Sequence, residues 1–170
     1  MGQAYLLTGM PGTGKTSIIR QVLEQTNYNA GGFFTQEMRS VGIREGFRIV
    51  SLSGEEGILA HIAIESPFRV GKYGVDISVL ENIGVQAIYK AIESSDLIVI
   101  DEIGKMELFS EPFVVAVQEA LKSPKKVLGT ITLKPNPLAD SIKQSRSIRV
   151  AELTRNNQKY VLAEILAWLK

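Results

Sequence analysis

The sequence predicts an α/β fold in three layers, with helices on both faces of a mainly parallel sheet and an inserted run of antiparallel strands. Three observations predict it. Short apolar runs alternate with stretches of helical periodicity near both ends of the chain, the pattern of βαβ units. Leu97-Ile98-Val99-Ile100 is an unbroken apolar run, as a strand covered on both faces requires. Over residues 31–77 the apolar runs are separated by turns too short for a parallel crossover.

Ala4-Tyr5-Leu6-Leu7-Thr8 reads as the first strand, and Gly9 to Gly14 as a turn-rich loop. A helix is expected from about Lys15, its inner face carried by Ile18, Ile19, Val22 and Leu23. Phe33–Arg39, Phe47–Leu52 and Ile58–Ile64 read as the antiparallel insertion. Leu80, Ile83, Ala87, Ile88 and Ala91 have helical spacing, and so do Phe113, Val114, Val117 and Leu121 behind an N-cap at Ser110. Val127–Thr132 is a further strand. A short polar helix is expected around Leu138–Gln144, a strand at Ile148–Ala151, and a last helix with Val161, Leu162, Ile165, Leu166 and Leu169 inward.

The chain of 170 residues fits one domain, 1–170, with no need of a staple. Nineteen basic residues balance eighteen acidic ones, which argues against a dedicated nucleic-acid binder. The absence of cysteine excludes disulfides, thiolate catalysis and Cys-ligated metals. No apolar run reaches the roughly 18 residues of a membrane helix, and no signal peptide is visible. Met1-Gly2 opens like a myristoylation signal, but Leu6 stands where that signal needs Ser or Thr. A cytoplasmic protein without membrane contact is the expectation.

Gly9-Met10-Pro11-Gly12-Thr13-Gly14-Lys15-Thr16 fits G-x-x-x-x-G-K-[ST], the Walker A or P-loop pattern. By composition alone a chain this long carries it less than about 1% of the time. Its position between a strand and a helix is what the chemistry needs. Glycines let successive N–H groups turn toward phosphate oxygens, and the helix N-terminus adds free donors and partial positive charge. Lys15 is expected at the β- and γ-phosphates, and Thr16 on Mg²⁺. Asp101 ends the apolar run in a Walker B pattern and is expected to hold Mg²⁺ through a water. Glu102, at the strand tip, is placed to orient a water and accept its proton, which points to nucleotide hydrolysis.

Asp101-Glu102-Ile103-Gly104-Lys105-Met106-Glu107-Leu108-Phe109-Ser110 resembles the signature of a small P-loop nucleoside-triphosphatase family. That family includes the human cancer-related nucleoside-triphosphatase and its thermophile relatives. Gly32–Arg39, Gly46–Val50 and Val70–Val75 resemble it too, so the likeness covers nearly the whole chain. The resemblance implies a RecA-like sheet and slow, Mg²⁺-dependent hydrolysis of several nucleoside triphosphates (ATP, GTP, CTP, UTP) to diphosphate and phosphate. It also implies nucleotide contacts from Gly9 to Thr16 and from Leu97, Ile98, Val99 and Ile100 through Asp101, Glu102, Ile103 and Gly104. One departure stands out. The family tends to place Arg where this chain has Gln158, while Arg155 sits three places earlier.

Other residues carry two readings each. Lys105 is either a phosphate contact or a solvated loop lysine. One of Arg39, Arg44 and Arg48 in the insertion could serve as an arginine finger. Thr130 either senses the γ-phosphate or simply closes its strand. His61, Trp168 and Tyr160 read as surface or packing residues, and Lys143, Arg146 and Arg149 as a solvated basic face. A small-molecule kinase would share the P-loop, with Glu102 orienting an acceptor hydroxyl. A partner-stimulated nucleotide switch is a third class, although no Asn-Lys-x-Asp guanine-reading motif is present.

Overall fold

The computed structural model describes residues 3–170, so the Met1-Gly2 reading lies outside the described residues. Its strands are β1 (Gln3–Thr8), β2 (Ala30–Ser40), β3 (Ile43–Ser51), β4 (Glu56–His61), β5 (Arg69–Val70), β6 (Tyr73–Val75), β7 (Leu97–Ile103), β8 (Lys126–Ile131) and β9 (Ile148–Glu152). They form one sheet in the order β5-β6-β4-β3-β2-β7-β8-β1-β9. The β2-β7-β8-β1-β9 half is parallel throughout. From β2 outward every pairing is antiparallel. The strand β8 lies between the strand that feeds the glycine loop and the strand that ends in the two acids, the RecA-like arrangement expected.

The helices are α1 (Lys15–Glu24), α2 (Ile77–Val79), α3 (Gln86–Ser94), α4 (Glu111–Lys122), α5 (Pro137–Lys143) and α6 (Gln158–Leu169). Strand alternation sorts the core into two layers. Leu6, Ile98, Ile100 and Val127 face α3, α4 and α5, while Tyr5, Leu7, Val99 and Leu128 face α1 and α6. Phe33 meets Phe113 edge to face at 6.1 Å, which fixes α4 against β2. Both rings are fully buried, each worth about 2–3 kcal/mol in area alone. Ser110 caps α4 by accepting from the Phe113 N–H, as its sequence position predicted.

Three local expectations are revised. The antiparallel insertion begins in mid-strand, because Ala30–Phe33 pair in parallel with Leu97–Ile100 before β2 turns outward to pair with β3. The strand expected through Ile64 stops at His61, whose Nδ1 accepts from the Ala63 N–H and whose carbonyl accepts from Ile64, closing a turn. Residues 77–94 are helical but not uniform. Leu80–Val85 widens into a π segment between α2 and α3, with Gly84 close against Ile49. The Ser110 hydroxyl donates to Glu81 in that segment and ties it to the start of α4.

Candidate active site

β1 enters the glycine loop at Gly9, where a side chain could not fit: a Cβ there would stand 2.6 Å from the Leu153 carbonyl oxygen. That carbonyl is fixed because the Leu153 N–H donates to the Thr8 carbonyl at 2.7 Å, just past the β1–β9 ladder. Gly14 immediately before α1 has φ +90°, a left-handed conformation that glycine adopts at no steric cost. The α1 N-terminus opens into the concave loop between these points. Lys15 arches back over it, its ammonium donating to the Gly9 and Met10 carbonyls at 2.9 and 3.1 Å. Thr13 closes the loop from within, its hydroxyl donating to Met10 O at 2.9 Å.

Thr16 leads across to the acids. Its hydroxyl donates to Asp101 Oδ2 at 2.7 Å, while Thr130 on β8 donates to Asp101 Oδ1 at 2.8 Å. Two elements, α1 and β8, thus orient one carboxylate. Asp101 and Glu102 come together through an irregularity in the ladder. Ile100 pairs with Gly129 and Ile103 with Ile131, so two acids oppose the single residue Thr130. This is a β-bulge, which re-aims side chains at a strand end. Strict alternation from Ile100 would have turned Ile103 toward α1; instead Ile103 packs with Ile98 and Ile100 on the other face. Gly104 leaves room for the Glu102 side chain, which lies 3.1–3.2 Å from where a Cβ would stand.

Burial pushes the Asp101 carboxyl above the usual range, opposed by its hydrogen bonds to Thr16 and Thr130, by the nearby Thr35 backbone and by the Lys15 charge. Glu102 is raised as well, by burial and then by Asp101, with Lys15 opposing. Lys15 is thus the cation that favours both anions. Glu107 sits in a 3₁₀ turn just beyond, only 5% exposed. Burial first, and then the Glu102 charge, lift its carboxyl to about 8, while N–H groups of Glu107 itself and Gly104 pull the other way. The donors around Thr16 and Asp101 are hard oxygens side by side, a set that suits Mg²⁺.

Residues 4–166 match the model of a family described as NTPase. The chain belongs to this family. It is 47% identical over 165 residues to the nucleoside-triphosphatase THEP1 of Thermotoga sp. (strain RQ2), covering 97% of this chain and 94% of that protein. It is 38% identical to the human cancer-related nucleoside-triphosphatase, covering 98% of this chain and 96% of the human one. The crystal structure of THEP1 from Aquifex aeolicus superposes with a TM-score of 0.90 at 33% identity, covering 100% of this chain and 99% of that one.

Within this NTPase fold Leu97, Ile98, Val99 and Ile100 are wholly enclosed between the two helical layers and lead into the acids. Ile103 is enclosed too; Asp101, Glu102 and Gly104 form the tip. Lys105 is exposed. Lys143 is committed to the Thr132 carbonyl at 2.6 Å. Trp168 packs near Tyr5, with ring centroids 5.7 Å apart, whereas Tyr160 is 70% exposed and packs little. Gln158 donates to the Thr13 carbonyl at 2.7 Å, so it props the cradle from behind. The inward role of Glu107 and the carboxylate-holding role of Thr130 were missed in the sequence. A charged residue in an otherwise apolar turn was the one visible sign of the former.

Proposed function

We propose that this NTPase, as one domain over residues 1–170, hydrolyses nucleoside triphosphates to diphosphate and phosphate with Mg²⁺, slowly and with little base preference. The loop amides from Gly9 to Thr16 bind the polyphosphate, and Lys15 moves from the loop carbonyls to the β- and γ-phosphates. Thr16 and Asp101 would hold Mg²⁺, which when bound supplies positive charge to the phosphate oxygens. Thr130 keeps Asp101 in place. Glu102 orients the attacking water and accepts its proton. Most of the acceleration comes from fixed charges and donors set before the reaction.

The observation that carries this reading is the Thr16–Asp101–Thr130 chain of hydrogen bonds, which joins the glycine loop to the acid pair across β8. The test is phosphate release from ATP, GTP, CTP and UTP with and without Mg²⁺, beside the Lys15→Ala variant. Release from all four, dependent on Mg²⁺ and lost in the variant, is expected. Release that persists undiminished in Lys15→Ala refutes the assignment.

A further inference from the structure

The hairpin of β2 and β3 carries three arginines, and their surroundings differ. Arg39 is paired with Glu37 at 2.7 Å and also donates to the Gly42 carbonyl. Arg44 donates to the Tyr73 hydroxyl and to Glu37, and lies over the Phe47 and Tyr73 rings. Both are consumed in holding the hairpin. Arg48 is half-buried and makes no side-chain hydrogen bond or ion pair among the described residues.

Arg48 also lies on a different face. Its neighbours Phe47 and Ile49 pack toward α3 and α4, so alternation puts Arg48 on the α1 face, opposite Gln36 across the ladder. The ladder to β7 fixes the height of that pair. Phe33 is in register with Ile100, so the next residues along, Phe34 and Asp101, stand side by side. Gln36 lies two residues beyond Phe34, about 6.6 Å farther toward the strand ends. Arg48 stands one strand spacing to the side of Gln36, about 4.8 Å. An unpaired arginine thus lies on the α1 face just beyond the level at which Asp101 meets Thr16, at the strand ends that carry the phosphate cradle.

We propose that Arg48 is a further catalytic residue, contacting oxygens of the transferring γ-phosphoryl group as charge builds on them. The inference rests on the hydrolytic reading above. A water oxygen forms a bond to Pγ as the bond from Pγ to the β,γ-bridging oxygen breaks. The diphosphate leaves with the electron pair, and the water's proton passes to Glu102. Arg48 neither gains nor loses a proton; it adds positive charge that favours the transition state.

The experiment compares Arg48→Ala, Arg48→Lys and, as a control within the hairpin, Arg39→Ala. Each is measured for kcat, KM, ADP affinity and retention of ADP with aluminium fluoride, a mimic of the transferring group. Arginine contacts in phosphoryl transfer are worth roughly 10³–10⁵-fold. Arg48→Ala should lower kcat by at least about 10²-fold and lose the aluminium fluoride complex while keeping ADP affinity. Arg48→Lys should recover part of the rate, and Arg39→Ala should match the wild type. A wild-type rate in Arg48→Ala, or an equal loss of ADP affinity in Arg48→Ala and Arg39→Ala, overturns the proposal while leaving hydrolysis intact. A wild-type protein that releases no phosphate overturns both readings.

Discussion

In the parallel half of the sheet, β2, β7, β8, β1 and β9 all point the same way, so β1, β7 and β8 end at one edge and deliver the glycine loop, the acid pair and Thr130 together. In the antiparallel half, β3, β4, β6 and β5 alternate in direction, so no edge collects their ends. The parallel half buries Asp101 and Thr130 bonded to each other, with Thr16 on the other carboxylate oxygen, where each lost bond is expensive. The antiparallel half relies on partly exposed pairs such as Glu37 with Arg39 and Arg44, which contribute little each. Direction of pairing, more than composition, decides which half can build a reaction centre and which can only flank it.

That contrast is tested most severely at the tip of β7. Glu102→Gln should keep nucleotide bound and cut turnover by about 10²–10⁴-fold, the usual worth of a general base. Single-turnover phosphate release measures it, and an unchanged rate would remove the acid from the mechanism. Thr130→Val keeps the shape but leaves Asp101 Oδ1 without its β8 donor. A loss of about 1–3 kcal/mol in denaturant unfolding is expected, with a lower kcat at limiting Mg²⁺.

Glu107→Gln addresses the pH dependence of the same region. The folded protein holds a proton on Glu107 up to about pH 8, whereas the unfolded chain releases it near 4.5, the ordinary value for a glutamate. Between those values the folded state binds more protons, so this group's contribution to stability is full below about 4.5 and is lost as pH rises through about 8. Gln removes that dependence, so the slope of melting temperature against pH over this window should flatten. An identical slope would mean that the carboxyl is already ionised in the fold. The smallest effect is expected in the other half. Arg44→Ala removes an ion pair and two ring contacts and should cost about 1 kcal/mol or less, with kcat within about twofold of wild type. A tenfold fall would show that the hairpin's internal ties also govern the site.

Much of this architecture was legible in the sequence because it rests on periodicity. The apolar run before Asp101, the caps at Ser110 and the stripe of α6 are local patterns that tertiary packing merely confirms. The glycine loop was legible for the same reason: its spacing is its function. Features that depend on pairing register were not. Nothing in Asp101-Glu102-Ile103 announces that two residues will oppose one, and nothing in Gln158 announces that it will brace Thr13 from across the fold. Leu97–Ile100 came to the nucleotide-contact segment only through the family resemblance, and in the fold they are enclosed behind the acids. The π segment at Leu80–Val85 escaped because its apolar spacing departs too little from an ordinary helix.

The doubled step at Asp101 and Glu102 has a consequence for how this edge tolerates change. Removing one of the two residues would bring the ladder back into step, and Ile103 would then meet Ile131 only if the preceding carboxylate disappeared. Insertions and deletions there are thus closed routes, whereas the outer hairpin tip at Val41-Gly42, 98% exposed at Val41, can lengthen or shorten freely. Length variation among related chains should pool at that tip and stop short of the β7 terminus.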